Sequence, residues 1–272
     1  MNVFVFDIET VPDIEAGKKL YKLPDIEPEK VADVMFADRR SQVGHNFLKL
    51  HCHKIVAISV VFRHADQLKV WSLGAEQAGE KEILERFFSG ISRYQPTLVS
   101  WNGSGFDLPV LNYRAMLHKI SAEAYWDLGE HDQGARWNNY ISRYHLKHTD
   151  LMDILALYQQ RAFVPLDEMA TMLGYPGKMG MSGSKVWETY LAGDLKAIRD
   201  YCETDVLNTY LVYLHFLLLR GQLDRPGFDQ EIERVQSFLQ QHSEAEHFAE
   251  FLDIWLAGAE DEVDLSAQEE VE

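Results

Sequence analysis

The sequence predicts an α/β fold, in which a central mixed β-sheet is flanked by helices and followed by a helical C-terminal region. Three observations support this prediction. The first 101 residues contain several short apolar runs with strand character, two of them separated only by a polar turn. Segments with helical spacing separate the later runs, and the last third of the chain has helical spacing almost throughout.

The strand predictions depend on apolar runs and the polar residues that bound them. Residues 3–6 (V-F-V-F) are typical of a buried strand. Residues 54–62 (K-I-V-A-I-S-V-V-F) form a longer apolar run, and the polar turn at 63–67 joins it to a second run at 68–73, which predicts a hairpin. Residues 97–101 (T-L-V-S-W) predict one more strand of the sheet.

The helix predictions depend on apolar side chains that recur on one face. Residues 80–94 show this spacing and are stopped by Pro96. At 107–118, Asp107 and Pro109 occupy first-turn positions that suit a helix start. The same spacing predicts further helices over residues 166–173, 195–219 and, as one or two helices, 228–256.

The remaining segments have weaker patterns. Residues 14–50 are charged and weakly periodic, which indicates an excursion of short helices and loops. Residues 126–148 predict a loop, and residues 150–158 predict either a helix or a short strand followed by one. Residues 177–185 (G-K-M-G-M-S-G-S-K) predict a flexible basic loop that lacks the spacing of a phosphate-binding P-loop.

No linker divides the chain, so we expect one domain over residues 1–258. Within it, residues 14–50 resemble an insertion and residues 222–258 form the C-terminal helices. Residues 259–272 are predicted to be a disordered acidic tail, because the last 13 residues carry seven acidic side chains and no basic one.

Composition excludes several classes of protein. The chain has 272 residues, 46% of them hydrophobic, which is enough for a large core. Its two cysteines cannot build a disulfide framework or a cysteine-based zinc site, which fits a reducing compartment. It has no signal-peptide pattern and no run of about 18 apolar residues, so we expect a cytoplasmic protein that makes no contact with membranes.

The net charge of −17 argues against tight, non-specific binding to duplex nucleic acid, which needs a broad basic surface. It does not exclude an enzyme that grips a few nucleotides locally through a metal ion.

Two carboxylates stand at the end of the first apolar run. Asp7 and Glu9 are two positions apart, so in a strand they project from one face while Ile8 points to the other. Adjacent carboxylates repel each other and are costly to desolvate, and a divalent cation such as Mg²⁺ would compensate. The alternative is a solvated strand end without a ligand.

Two further segments carry acidic residues at positions of interest. Asp107 follows the glycine-containing stretch N-G-S-G-F and is either a simple helix cap or a site residue. Tyr201 and Asp205 are four residues apart on the predicted long helix and therefore share a face. Ordinary surface chemistry is the alternative for this second pair.

Taken together, the segments F-D-I-E-T, N-G-S-G-F-D-L-P-V-L and Y-C-E-T-D-V resemble the three exonuclease motifs of the DEDD superfamily. The tyrosine at position 201 is similar to the tyrosine-containing branch, because the histidine branch has a histidine where this chain has Asp200. The likeness is to the proofreading 3′–5′ exonuclease domain of family-B DNA polymerases, here without a polymerase. It covers roughly residues 1–219.

The resemblance implies a ribonuclease H-like fold and hydrolysis of a nucleic acid strand from its 3′ end, with release of nucleoside monophosphates. It implies that two Mg²⁺ or Mn²⁺ ions are held by the carboxylates of Asp7, Glu9, Asp107 and Asp205, with Asp7 bridging both ions. Two such ions activate the attacking water and stabilise the leaving oxygen. Tyr201 would orient that water, since a phenol is a poor base but a good hydrogen-bonding group. The expected partner is the 3′ end of a single strand.

Substrate contacts are expected from Asn102, Phe106, Lys178 and Lys185. For Asn102 the alternative of a plain turn residue is equally open. Trp101, Trp126 and Trp137 are candidates for stacking on terminal bases, although core packing is the stronger interpretation. Asp150 or Asp153 could be a carboxylate that supports the metal ligands from the surrounding layer, although solvated helix positions are the favoured interpretation.

Two alternative functions remain open. The same fold can serve as a catalytically silent adaptor that binds nucleic acid or protein, although none of the five motif side chains is missing here. The same site can also act on RNA. The tyrosine branch favours DNA because of its likeness to polymerase proofreading domains.

Overall fold

The computed structural model describes residues 1–269, with side chains described up to residue 258. Its centre is a five-stranded mixed sheet in the order β3-β2-β1-β4-β5. The strands are β1 (Asn2–Pro12), β2 (His53–His64), β3 (Gln67–Ser72), β4 (Thr97–Ser100) and β5 (His148–Asp150). The three strands β3, β2 and β1 pair antiparallel, whereas β4 and β5 run parallel to β1. This arrangement confirms the predicted α/β fold with a central mixed sheet flanked by helices.

Eleven α-helices surround the sheet in the described chain. The first seven are α1 (Ile14–Tyr21), α2 (Pro28–Val43), α3 (Glu80–Tyr94), α4 (Asp107–His118), α5 (Glu123–Trp126), α6 (Leu151–Leu155) and α7 (Leu166–Met172). The last four are α8 (Val186–Leu191), α9 (Leu195–Leu219), α10 (Arg225–Gln241) and α11 (Glu246–Glu269). Short 3-10 turns occur at Leu50–Cys52, Gln133–Arg136, Gln160–Ala162 and Gly183–Lys185.

The two faces of β1 belong to two different cores, as alternation along a strand requires. Phe4 and Phe6 pack in the core that contains side chains of α3 and α4. Val3 and Val5 pack in the core on the opposite face, together with α9, α10 and α11. The odd-numbered face of β1 therefore continues beneath α9 toward Asp7 and Glu9.

Residues 14–50, predicted as an excursion of short helices and loops, contain α1 and the longer α2. Val31 and Met35 of α2 are buried in a small core of their own with Leu48 and Cys52. Residues 150–158 follow the second of their two predicted alternatives, a short strand followed by a helix.

The predicted acidic tail at 259–272 coincides with the end of α11, and its side chains lie outside the described residues. Residues 270–272 lie outside the described structure entirely, so the prediction of a disordered tail stays a prediction. Within the described residues, no helix has the length and apolar character needed to cross a bilayer.

Candidate active site

Asp7 and Glu9 lie on the face of β1 that α9 covers. Carboxylate oxygens of both residues and the Sγ atom of Cys202 lie within 4.8 Å of one another. A β-bulge interrupts the pairing with β2 directly after Glu9, where Thr10 pairs with Ile55. A bulge changes the direction of the strand and of its side chains. The predicted side-by-side placement of Asp7 and Glu9 is present, because their carboxylate oxygens lie within 4.8 Å of each other. Glu9 is only 8% exposed.

Asp107 reaches this site from the start of α4, which follows the neighbouring strand β4. It is the first residue of α4, and its Oδ1 accepts a hydrogen bond of 3.2 Å from the backbone N–H of Ile8, between the two β1 carboxylates. The residue at the cap position is Phe106, and no side chain caps this helix. Asp107 is therefore not the cap residue of α4, and its carboxylate accepts the N–H of Ile8 on β1 as well as its own backbone N–H.

Tyr201 and Asp205 approach from α9. The helix begins at a capped turn, where the Asp194 carboxylate accepts the N–H of Ala197 at 3.0 Å, and packs along β1 and β2. Between the two site residues, Cys202 is fully buried and its thiol lies 3.5 Å from Asp7 Oδ2. Cys202 was not predicted as a site residue, although it directly follows Tyr201 in the sequence.

The electrostatics of the site show that four carboxylates are crowded in a desolvated space. Burial, followed by the charges of Asp107, Glu9 and Asp205, raises the pKa of Asp7 well above its usual range. The pKa of Glu9 is raised well above its range by burial and by the charges of Asp205 and Asp107. Burial also raises the pKa of Asp107 to about 7 and that of Asp205 to about 6. Each shift means that the charged form is unfavourable without a compensating cation.

No lysine, arginine or histidine forms an ion pair with Asp7, Glu9, Asp107 or Asp205 in the part of the chain that the structure describes. The donor set is made of hard carboxylate oxygens, which Mg²⁺ and Mn²⁺ prefer. The residues present therefore fit divalent cations of this type.

The chain is similar to a family of known proteins. Residues 45–255 match the model of a family described as a predicted 3′–5′ exonuclease related to the exonuclease domain of PolB. The chain belongs to this family. The matched residues begin after β1, so Asp7 and Glu9 lie before the matched range, while Asp107, Tyr201 and Asp205 lie within it.

Among solved structures, a family B DNA polymerase from the hyperthermophilic archaeon Pyrobaculum calidifontis is similar, with a TM-score of 0.49 and 18% sequence identity. The similarity covers 80% of this chain but only 24% of the polymerase chain, so this protein spans about a quarter of that polymerase's length. A search of curated proteins found no match.

Beside the carboxylates, three aromatic rings form a cluster that we call the aromatic wall: Phe47, His53 and Phe106. The ring of Phe47 lies 5.5 Å from that of Phe106, and His53 lies 5.3 Å from both. His53 Nδ1 is 2.8 Å from the hydroxyl of Thr10, the residue after Glu9. Phe106 was predicted as a substrate contact, whereas Phe47 and His53 were missed because they lie in or beside the weakly periodic excursion.

The other residues predicted to contact the substrate differ in how they are placed relative to the carboxylates. Lys178 lies near enough to Asp205 for its positive charge to lower the pKa of that carboxyl, against the larger effect of burial. Lys185 is exposed beside the start of α8, and no hydrogen bond or ion pair joins its side chain to the site within the described residues. Asn102 occupies a turn with a φ of 64°, and its side chain lies over Gly105.

Asp150 and Asp153 do not occupy solvated helix positions, and that expectation was wrong. They are 5% and 3% exposed. Asp153 forms a two-pronged ion pair with Arg143, with both bonds at 2.6 Å. Asp150 bonds to backbone N–H groups of the stretch that leads to Asp107, because β5 pairs parallel with β4 and ends at the same sheet edge.

Of the three tryptophans named as stacking candidates, Trp101 packs against the core, and its indole N–H donates to the carbonyl oxygen of Val164 at 3.1 Å. Trp126 and Trp137 are exposed.

Proposed function

We propose that this protein is a metal-dependent 3′–5′ exonuclease that removes nucleoside monophosphates from the 3′ end of single-stranded nucleic acid. The observation that carries the proposal is the convergence of four desolvated carboxylates from three separate elements, without an ion-pair partner among the described residues. Membership of a family of predicted 3′–5′ exonucleases supports the direction of attack.

Asp7, Glu9, Asp107 and Asp205 are the residues that would hold two Mg²⁺ or Mn²⁺ ions. Asp7 would be central to this donor set, because the charges of all three other carboxylates act on it. When bound, two such ions supply an activated water and charge stabilisation on the leaving oxygen. The carboxylates themselves position the cations and contribute the negative charge that makes the site selective for them.

Tyr201 orients the attacking water in this proposal. Burial and the charges of Asp205, Glu9 and Asp7 raise the pKa of Tyr201 far above its usual value. The phenol therefore keeps its proton at neutral pH and acts as a hydrogen-bond donor or acceptor, not as a general base.

The aromatic wall and the nearby polar residues would hold the substrate. Phe47 is 54% exposed, so one side of its ring is available to stack on a nucleobase. His53 is held neutral, since burial lowers its pKa, and it adds an uncharged surface next to Thr10. Asn102 and Phe106 border the same stretch of chain, and Lys178 and Lys185 are candidates for phosphate contacts.

We favour DNA as the substrate because the tyrosine at 201 is shared with polymerase proofreading domains, and we keep RNA as the alternative. The test uses single-stranded DNA and RNA of one sequence, each labelled at the 3′ or the 5′ end. Each strand is incubated with the full chain in Mg²⁺, in Mn²⁺ and in EDTA. The 5′-labelled strand should shorten in a ladder only when metal is present, and the preferred polymer should be degraded faster.

Two variants on α9 sharpen this test. Asp205→Asn should abolish the ladder, whereas Asp200→Asn should retain it, because Asp200 lies on the same helix but pairs with Lys196. If the wild-type protein binds Mn²⁺ by calorimetry but degrades neither polymer, the exonuclease proposal is wrong and the adaptor function is favoured.

A further inference from the structure

Asp150 is a buried carboxylate that lies next to the site without belonging to it. It is the last residue of β5, opposite Ser100 at the end of β4 in the parallel register. Both strands therefore deliver their ends to the sheet edge where the chain turns toward Asp107. Burial raises the pKa of Asp150, and its negative charge adds to the raised pKa of Asp107, which shows how close the two groups are.

The Asp150 carboxylate holds the turn that follows β4. Oδ1 accepts the backbone N–H of Asn102 at 2.9 Å, and Oδ2 accepts that of Ser104 at 2.8 Å. Oδ1 also lies 3.4 Å from the N–H of Asp153, where Asp150 caps α6. Both oxygens thus accept backbone N–H groups, and the Ser104 hydroxyl is a further donor to the same carboxylate.

The turn that Asp150 holds is tightly packed. Asn102 has a φ of 64°, a left-handed conformation that asparagine adopts more readily than most residues with a side chain. A Cβ atom on Gly103 would collide with the side chain of Ser100, and one on Gly105 would collide with the side chain of Asn102. The carbonyl oxygen of Asn102 accepts the N–H groups of Gly105 and Phe106, both at 3.0 Å. Only Gly105 and Phe106 therefore separate the Asp150 contact at Ser104 from Asp107.

We propose that Asp150 is a positioning residue that sets the place of Asp107 in the metal site by bridging the backbone N–H groups of Asn102 and Ser104. It does not touch the substrate or the cations in this proposal. A carboxylate is required because two N–H donors need two acceptor oxygens, and an amide side chain offers one acceptor and one donor. This inference rests on the proposed nuclease function for its kinetic readout but not for its metal-binding readout.

The test compares Asp150→Asn with a matched control, Asp153→Asn, in the full chain. Both residues are buried carboxylates at the start of α6, but Asp153 pairs with Arg143 and not with the turn. We expect Asp150→Asn to weaken Mn²⁺ binding in calorimetry and to lower kcat on a labelled DNA strand, each by about 10- to 100-fold, with a smaller change in KM. Asp153→Asn should change metal binding and kcat by less than about threefold, although it also lowers thermal stability.

The outcomes separate the two proposals. If Asp150→Asn folds but changes Mn²⁺ affinity and kcat no more than Asp153→Asn does, Asp150 is merely structural and the inference is overturned. If the wild-type protein shows no nuclease activity, the proposed function fails, while the Mn²⁺ comparison still decides the role of Asp150.

If Asp150→Asn does not fold, hydrogen exchange in the wild-type chain replaces the comparison. The amides of Asn102 and Ser104 should exchange at least about 100-fold more slowly than an unprotected chain, because both are bonded to a buried acceptor. Exchange at the unprotected rate would overturn the inference.

Discussion

The carboxylate of Asp107 accepts a hydrogen bond of 3.2 Å from the backbone N–H of Ile8, although the two residues are 99 positions apart. The donor lies between Asp7 and Glu9, so one peptide group of β1 sets the position of Asp107 relative to both other carboxylates. Since backbone geometry is stiffer than side-chain geometry, this contact fixes the Asp107 carboxylate rigidly against the central sheet.

Tyr201→Phe should lower kcat by about 10²-fold while Mn²⁺ affinity stays unchanged, because the variant removes one hydrogen-bonding group and no carboxylate. Single-turnover hydrolysis and Mn²⁺ calorimetry measure the two quantities. If Tyr201→Phe loses as much Mn²⁺ affinity and as much kcat as Asp205→Asn does, Tyr201 helps to hold the metal, contrary to the role proposed here.

The metal-free protein should lose stability as the pH rises from about 4 through about 7. The pKa values of Asp7, Glu9, Asp107 and Asp205 are raised by folding, to about 7 for Asp107, so the unfolded chain releases these protons first. Denaturant unfolding in EDTA at pH 5 and pH 8 measures the change. Mg²⁺ should restore more stability at pH 8 than at pH 5.

Other groups also titrate in this range, so a control is needed for that prediction. His148 has the opposite sign, because burial lowers its pKa to about 4 and the folded state gains stability as the pH rises above that value. The Asp7→Asn variant keeps His148 but removes one site carboxylate, so its loss of stability between pH 5 and pH 8 should be smaller than that of the wild type. An equal loss would mean that the site does not cause the pH dependence.

Asp107→Asn should stabilise the metal-free protein at pH 8, because it removes a charge from a crowded, desolvated cluster while its amide oxygen can still accept the Ile8 N–H. The expected gain in the free energy of unfolding is about 1–3 kcal/mol. The variant should gain little from added Mg²⁺. The control variant Asp200→Asn, on the partly exposed face of α9, should change the free energy of unfolding by less than about 1 kcal/mol. If Asp107→Asn is less stable than the wild type, repulsion among the carboxylates is not the dominant effect.

Local sequence signals accounted for the long helices and the central strands. The helices at 80–94, 107–118 and 195–219 have the predicted bounds, because each has a strong apolar face or a clear breaker such as Pro96 at its end. The strand β1 is longer than the predicted run at 3–6, since pairing with β2 keeps the chain extended through Asp7 and Glu9. The six-residue helix α8 was missed because a segment of that length shows too little periodicity.

The carboxylate motif was visible in the sequence because its residue types and spacing are unusual on those elements. The surroundings of the site were not visible, because they depend on contacts between distant segments. Asp150 becomes a buried partner of the Asn102 turn only through the parallel pairing of β4 with β5. Phe47 reaches Phe106 only because α2 and the turn after it fold back toward the site.

Arg114→Met should destabilise the protein by about 3–5 kcal/mol, because it removes the arginine counter-ion of two buried carboxylates, Asp13 and Glu80, and leaves Glu80 only its contact with His118 as a basic partner in the described chain. The Arg114 guanidinium donates two bonds to Glu80, at 2.7 Å and 2.5 Å, and also bonds to Asp13. Equilibrium denaturation measures the loss. The control variant Arg86→Met breaks an exposed ion pair with Glu82 and should cost less than about 1 kcal/mol of stability. Similar losses for both variants would show that burial does not strengthen the contribution of the Arg114 ion pairs.

Phe47→Ala should raise KM for a single strand by about tenfold and leave kcat at saturating substrate within about threefold, because base stacking on an aromatic side chain contributes about 1–3 kcal/mol. The control is Tyr94→Ala, which removes an aromatic ring that packs on Phe62 at the opposite end of β1. That variant should lower stability without changing KM. If both variants leave KM unchanged, the aromatic wall does not hold the terminal nucleotide. If Phe47→Ala lowers kcat instead, the ring aligns the scissile phosphate with the carboxylates, and its contribution is to the chemical step.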